Sequence, residues 1–222
     1  MIIYGSTISP FVRKVVAFAT EKGVAVELRP AGMGRGGDDF AEASPFGKIP
    51  AMRDLGADGG RDFTLADSSA IVHYLEAKHP EPRLIPADPV GRARAVWFDE
   101  FADTIVAAVG GKLFGNRFVR PQLMGAPGDH GAADAAERDE LPPILDYLER
   151  SIPDSGFLLE DRLTLADIAV ACPFVNVGWV GVAVDGTRYP RTVAYLDAIL
   201  ARPSFAEQVA RDGEWVRKRL AG

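Results

Sequence analysis

Residues 2–29 read IIYGSTISPFVRKVVAFATEKGVAVELR. The apolar run at 2–4 predicts a short strand, and the valines and alanines of 10–21 recur at the spacing of a helix with an apolar face. Gly23 follows this helix as a C-terminal capping glycine, and 25–29 predicts a second strand. Because a helical crossover joins parallel strands, the stretch predicts a β-α-β unit.

The segment that follows predicts four more elements. A weak helix is expected at about 38–43, and 51–55 and 62–65 predict two strands. The turn-rich residues 56–60, GADGG, would join these strands as an antiparallel hairpin. Asp67 then begins a helix that runs to about residue 78. The predicted order is therefore βαβαββα.

A proline-rich segment separates this region from the rest of the chain. Residues 79–89 contain four prolines, and repeated proline sustains neither a helix nor an interior strand. Beyond it only helical patterns occur, at about 90–113, 132–150, 165–180, 190–201 and 205–220. The sequence thus predicts an α+β protein, with a first domain at 1–79, a linker at 80–89 and an all-helical domain at 90–222.

The composition is typical of a globular protein. The 222 residues are 47% hydrophobic and carry a net charge of −6, which gives no electrostatic reason to bind nucleic acid or an anionic membrane. The single cysteine, Cys172, excludes an internal disulfide, and the first residues lack a signal-peptide pattern, so we expect a cytoplasmic protein. The uncharged stretch 168–184 is interrupted by Pro173 and by glycines, and we interpret it as a buried core helix.

Ser9 stands before Pro10, the first residue of the first predicted helix. The pair has the pattern of a helix N-cap, in which the hydroxyl accepts a backbone N–H. The hydroxyl could instead stabilise an anion such as a thiolate, because a helix N-terminus is electropositive. Thr7 is the second choice for that role and Ser6 is a further one, whereas Tyr4 is expected to pack within its strand.

Lys48, Ile49 and Pro50 lead into the third predicted strand. Proline is permitted at the first position of a strand, so the segment can be purely structural. A cis bond between Ile49 and Pro50 would expose the Ile49 backbone to an extended peptide ligand, as if to an added strand. The sequence leaves the isomer open.

Asp67 is followed by two serines, Ser68 and Ser69, at the start of a predicted helix. Asp67 alone would serve as an N-cap. The hydroxyls and the first N–H groups of the helix could also bind a carboxylate, while Asp67 pairs with an ammonium group. An amino-acid head group would satisfy both.

Together these segments resemble those of the cytosolic glutathione transferases, and the resemblance covers essentially the whole chain. Residues 9–13, SPFVR, resemble the first-helix motif of the serine-type tau class and its bacterial relatives. Residues 48–50, KIP, resemble the cis-proline loop, and 67–71, DSSAI, resemble the glutathione motif. Residues 163–168, LTLADI, resemble the capping-box and staple segment of the helical domain. With serine at position 9, the disulfide chemistry of the cysteine-type omega class is disfavoured.

The resemblance implies a thioredoxin-like domain followed by a helical bundle, with glutathione as co-substrate. Ser9 would donate a hydrogen bond to the glutathione sulfur, and the thiolate would attack a small, apolar electrophile. The γ-glutamyl group would bind Asp67 and Ser68, and Lys48 would approach the glycyl carboxylate. The residues implied to bind glutathione are Lys48, Ile49, Pro50, Asp67 and Ser68.

The pocket for the electrophile is less well marked. The expected lining residues are Phe11, Trp97, Phe101 and Ile105, although aromatic residues at helical spacing are more often core. The resemblance implies a homodimer. We expect no nucleic-acid or membrane partner and no metal, since the three histidines have no metal-ligand spacing.

Other functions remain compatible with these residues. On the same site, glutathione-dependent peroxidase or lyase chemistry is possible, as is a non-catalytic, glutathione-binding regulatory protein. The spacing G-x-G-x-x-G at 32–37 could suggest a dinucleotide site. Asp38 and Asp39 follow immediately and would repel a pyrophosphate, so we interpret this segment as a loop.

Overall fold

Four strands and three helices build Met1–Leu84, the first of two units in the computed structural model, which describes all residues from 1 to 222. Their order is β1 (Ile2–Tyr4), α1 (Pro10–Glu21), β2 (Glu27–Arg29), α2 (Gly37–Ala43), β3 (Ala51–Asp58), β4 (Arg61–Ala66) and α3 (Ser68–Lys78). This is the predicted βαβαββα order, and the unit is a thioredoxin-like domain. The second unit, Ile85–Gly222, is entirely helical.

The sheet of the first unit is mixed, with the strand order β2-β1-β3-β4. β1 pairs with β2 in parallel, Ile3 lying opposite Leu28, and with β3 antiparallel, Ile3 lying opposite Met52. β3 and β4 form an antiparallel hairpin. Both the parallel crossover and the hairpin are thereby confirmed, and the central strand β1 is fully buried.

The hairpin is longer than predicted. Its strands continue to the turn at Gly59 and Gly60, and the ladder shifts register between Asp54 and Asp58. Gly56 lies in this irregular stretch with a φ of 67°, and its N–H donates to Asp62 Oδ1 at 3.1 Å. The glycine that suggested a turn is instead accommodated as a bulge within the strand.

Helix α1 ends as its sequence predicts. Gly23 has a φ of 69°, a conformation that residues with a Cβ rarely adopt, and its N–H donates to the Thr20 carbonyl at 2.9 Å. The Val24 N–H donates to the Ala19 carbonyl at 2.9 Å, which completes a Schellman motif. The chain leaves α1 in a fixed direction toward β2.

The helical unit begins with α4 (Pro89–Glu100). The remaining helices are α5 (Ala107–Phe114), α6 (His130–Ala135), α7 (Leu141–Ser151), α8 (Leu165–Trp179), α9 (Pro190–Leu200) and α10 (Pro203–Leu220). Three π-helical segments lie between them, at Phe101–Val106, Gly115–Leu123 and Ala136–Glu140. The division between the two units falls after Leu84, and the assignment of 80–89 as a linker stays a prediction.

The first helical stretch of this unit does not end at residue 113, as predicted, but continues to Leu123. The chain stays helical through Pro121. A Cβ on Gly110 would lie 3.4 Å from Val177 Cγ2, so this part of the stretch lies directly against α8. The buried side chain of Phe118 anchors the continuation.

Helix α8 is the core of the helical unit. Every residue from Leu165 to Val177 is buried, including Pro173 and Cys172, which confirms the interpretation of the uncharged stretch as a core helix. None of the helices combines the length and the apolar character needed to cross a membrane.

Asp167 organises the start of α8. Its carboxylate accepts the Thr164 N–H at 2.8 Å and the Leu158 N–H at 2.8 Å, so the predicted capping box is confirmed. The staple between Leu163 and Ile168 stays a prediction. Burial raises the pKa of Asp167 to about 6, outweighing the hydrogen bonds from Leu158 and Thr164, which favour the ionised form.

Candidate glutathione site

Ser9 lies at the N-terminus of α1 with an extended backbone (φ −71°, ψ 128°). Its carbonyl accepts the Arg13 N–H at 3.0 Å, but its hydroxyl makes no capping hydrogen bond. The interpretation of this hydroxyl as a plain helix cap is therefore wrong. A half-buried hydroxyl stands at the electropositive end of a helix without being used by that helix.

The alternatives to Ser9 are more strongly committed to the fold. Thr7 is only 2% exposed, and Ser6 Oγ accepts the Ile8 N–H at 3.4 Å. Tyr4 is buried, with its ring 6.0 Å from that of Phe40, so its packing role is confirmed.

The Ile49–Pro50 peptide bond is cis. The sheet ladders begin at Ala51, so the Ile49 backbone lies outside them. A Cβ on Gly5 would lie 3.4 Å from Ile49 Cβ, which places the loop between β1 and α1 directly against Ile49. The side chain of Lys48 is exposed, while its carbonyl accepts the Ser44 hydroxyl at 2.7 Å.

The turn at Asp67 joins β4 to α3 and has an unusual backbone. Asp67 has a φ of 89°, and its Oδ1 accepts the N–H groups of Ser69 at 3.0 Å and Ala70 at 3.1 Å. Two of the N–H groups that were expected to bind a carboxylate are therefore taken by Asp67 itself. The Asp67 N–H lies 3.3 Å from the Pro50 carbonyl, so the turn and the cis-proline loop are in contact.

Lys14 was not predicted as a residue of the site. Its side chain is 1% exposed, and its Nζ donates to Ser69 Oγ at 3.2 Å. The sequence signal was the interruption of an apolar helix by two adjacent cations, Arg13 and Lys14, both of which are buried. Through this contact, the helix that carries Ser9 also touches the turn after Asp67.

A polar cluster fixes the other end of α3. The Tyr74 hydroxyl donates to Asp54 Oδ2 at 2.7 Å, and Lys78 forms an ion pair with the same oxygen. Burial alone would raise the pKa of Asp54, but the hydrogen bonds from Lys78 and Tyr74 hold it below its ordinary value. Because Asp54 lies on β3, this cluster ties α3 to the sheet.

The residues expected to line the electrophile pocket lie in both units. Phe11 belongs to the first unit. In the second unit, Phe101 is 4% exposed, and the centroid of its ring lies 5.1 Å from that of Tyr147, so it is part of the helical core. Trp97 and Ile105 are 48% and 40% exposed, and Trp97 Nε1 donates to the Tyr147 hydroxyl at 2.7 Å. Tyr147 was not predicted, because it lies 50 residues from Trp97 in sequence.

Residues 32–37 form a tight turn. Gly32 and Arg35 exchange two backbone hydrogen bonds of 3.1 Å, with positive φ at Met33 and Gly34. The helix that follows, α2, has only seven residues and carries two aspartates in its first turn. This agrees with the interpretation of the segment as a loop. No group of three His, Cys, Asp or Glu residues is arranged to hold a metal ion.

Comparison with known proteins gives matches along nearly the whole chain. The family model of the glutathione S-transferase N-terminal domain matches residues 3–83, and that of the C-terminal domain matches residues 117–203. A glutathione S-transferase of Hyoscyamus muticus is 31% identical over 217 residues, which cover 94% of this chain and 97% of that protein.

Two bacterial glutathione S-transferases of known structure are similar to the chain. The enzyme from Rhodospirillum rubrum is 25% identical, with a TM-score of 0.82 and coverage of 93% of this chain and 90% of its own. The one from Methylobacterium radiotolerans, solved in complex with glutathione sulfonate, is 26% identical, with a TM-score of 0.71 and coverage of 94% and 93%. With both domain models matched and a relative above 30% identity covered almost completely, the chain belongs to the glutathione S-transferase family.

Proposed function

We propose that this glutathione S-transferase ionises the thiol of bound glutathione at the N-terminus of α1, with release of the proton to solvent. The thiolate sulfur then forms a bond to a carbon of a small, apolar electrophile, from which a leaving group such as chloride departs. The observation that carries the proposal is the Ser9 hydroxyl, which stands at that N-terminus and takes no part in capping. A free thiol has a pKa of about 8.5, and a helix N-terminus with a hydrogen-bond donor lowers it. Ser9 stabilises the thiolate and forms no covalent bond to it.

The rest of glutathione would follow the surface formed by the cis-proline loop and the Asp67 turn. The Ile49 backbone, which lies outside the sheet ladders, would pair with the cysteinyl part. Asp67 caps α3 through Oδ1 alone, which leaves Oδ2 to accept the γ-glutamyl ammonium. Ser68 would bind the adjoining carboxylate, and the exposed Lys48 would approach the glycyl carboxylate. The glutathione sulfonate complex of the Methylobacterium relative supports a ligand of this class.

The pocket for the electrophile would be apolar, and Phe11, Trp97 and Ile105 are its proposed lining residues. The exposure of Trp97 and Ile105 supports their part in this pocket. Phe101 is buried, so it would not contact the electrophile and would instead pack in the helical core. Kinship with the family supports two further proposals, a homodimeric state and a cytoplasmic location.

Binding and turnover test the proposed function separately. We expect the protein to be retained on immobilised glutathione and to conjugate glutathione to a chlorodinitrobenzene-type electrophile. The same preparation would be assayed with peroxide and disulfide substrates. Retention without turnover of any of these substrates would contradict the transferase assignment and favour a glutathione-binding regulatory protein, and turnover of peroxide alone would favour the peroxidase.

A further inference from the structure

A fully buried lysine joins the two ends of the proposed glutathione site. Lys14 belongs to α1, the helix that begins after Ser9, and its ammonium group donates to Ser69 Oγ at 3.2 Å. Lys14 lies five positions after Ser9, which corresponds to about 7.5 Å along the helix axis. Burying an ammonium group costs free energy unless the surrounding groups hold it in good geometry. The position of Lys14 is therefore tightly determined by its partners.

Ser69 is held from two sides. Its N–H donates to Asp67 Oδ1 at 3.0 Å, and its hydroxyl accepts from Lys14. Asp67 has a positive φ of 89°, a conformation that the surrounding contacts must maintain. Ser69, two residues further on, accepts its hydrogen bond from Lys14, which belongs to the helix that begins after Ser9.

We propose that Lys14 is a positioning residue for the amino-acid end of glutathione. By holding Ser69 it sets the Asp67–Ser68 turn at a fixed distance from Ser9, so that one glutathione molecule can reach both. This inference rests on the proposed function. Lys14 touches neither the sulfur nor the electrophile, so its loss affects the binding of glutathione and leaves the chemical step intact.

Helix α1 offers a matched control. Lys22 is also buried and is the C-cap residue of the same helix, but it pairs with Glu76 and donates to the Pro82 carbonyl at 2.8 Å, away from the turn. Lys22→Met also removes a buried cation and in addition leaves Glu76 without its ion-pair partner, so it is a stringent control for loss of stability. It therefore reports what a purely structural loss does to glutathione binding.

The experiment measures kcat, the KM for glutathione and the KM for the electrophile in six forms of the full-length protein. These are the wild type, Lys14→Met, Lys14→Arg, Ser69→Ala, the double variant Lys14→Met/Ser69→Ala, and Lys22→Met. The Kd for glutathione comes from calorimetry at a temperature at which circular dichroism shows all six folded.

We expect Lys14→Met and Ser69→Ala each to raise the KM and the Kd for glutathione about tenfold, the effect of losing a hydrogen bond to a charged group. The double variant should be little worse than either, because both remove the same contact. The kcat and the electrophile KM should change less than twofold, and Lys14→Arg should recover much of the affinity. Lys22→Met should bind glutathione like the wild type.

Several results would overturn this role. Wild-type Kd values in both Lys14→Met and Ser69→Ala would do so, as would additive losses in the double variant or an equal loss in Lys22→Met. If Lys14→Met does not fold, Ser69→Ala decides, since it leaves the lysine in place. A wild-type protein that does not bind glutathione at all would refute the proposed function itself, and this inference with it.

Discussion

At the residue scale, Gly5 occupies a position where a side chain has no room. Its φ is 147°, and a Cβ there would lie 2.5 Å from Val12 Cγ2. We expect Gly5→Ala to lower the free energy of unfolding by about 2–4 kcal/mol, since backbone strain and steric overlap both contribute. Urea unfolding followed by circular dichroism measures the loss.

The control for Gly5 separates strain from overlap. Gly59 also has a positive φ, 58°, but a Cβ there would meet nothing within 4 Å. Gly59→Ala should therefore cost only about 1–2 kcal/mol, from the backbone alone. Equal losses in the two variants would show that the contact with Val12 is not a constraint on the loop that leads to Ser9.

Single residues of the site differ in how far the sequence can predict them. The proposed roles of Ser9, Ile49 and Asp67 rest on local motifs whose order and spacing can be read from the sequence. Whether the Ser9 hydroxyl caps its helix depends on the side-chain rotamer, so the serine-proline pattern predicted a capping bond that is not formed. The contact between Lys14 and Ser69 joins residues 55 apart in sequence, and no local pattern encodes it.

At the element scale, the start of α8 should respond to pH. Burial raises the pKa of Asp167 to about 6, whereas an aspartate in the unfolded chain has a pKa of about 3.9. Between about pH 4 and pH 6, Asp167 therefore keeps its proton in the folded state and has lost it in the unfolded chain. The stability contributed by Asp167 is fully present below pH 4, and about 3 kcal/mol of it is lost as the pH rises above 6.

Asp167→Asn tests this dependence. The amide cannot titrate and cannot accept all the N–H groups that the carboxylate accepts, so we expect lower stability overall. The stability difference between wild type and variant should shrink by about 3 kcal/mol between pH 4 and pH 7. Asp161→Asn, a change of an exposed acid in the loop before α8, is the control and should show no such trend. A pH-independent difference for Asp167→Asn would contradict the raised pKa.

The elements themselves were predicted where a local signal coincides with burial. The bounds of α1 follow from Pro10 and Gly23. The order of all seven elements of the first unit follows from the spacing of apolar residues. The end of the first helical stretch in the second unit did not follow, because the chain stays helical through Gly110, which lies against α8, and through Pro121. The length of the hairpin strands was also underestimated, because Gly56 suggested a turn but lies in a bulge within the strand.

At the scale of the whole molecule, the proposed homodimer is the feature that the chain itself indicates least. Sedimentation equilibrium should give about twice the chain mass of 23.9 kDa. Family kinship is the reason for this expectation, and no apolar pattern in the sequence replaces it. A mass that stays at that of one chain up to millimolar concentration would contradict the dimer while leaving the glutathione site, as proposed, within one chain.

The central claim is that Ser9 lowers the pKa of the glutathione thiol, and ultraviolet titration of the bound thiolate measures it most directly. We expect a pKa clearly below the value of about 8.5 for a free thiol in the wild type, and a rise of about one to two units in Ser9→Ala. Ser6→Ala, the matched control in the same loop, should titrate like the wild type. An identical thiol pKa in wild type and Ser9→Ala would contradict the account, and a rise in Ser6→Ala instead would move the role to Ser6.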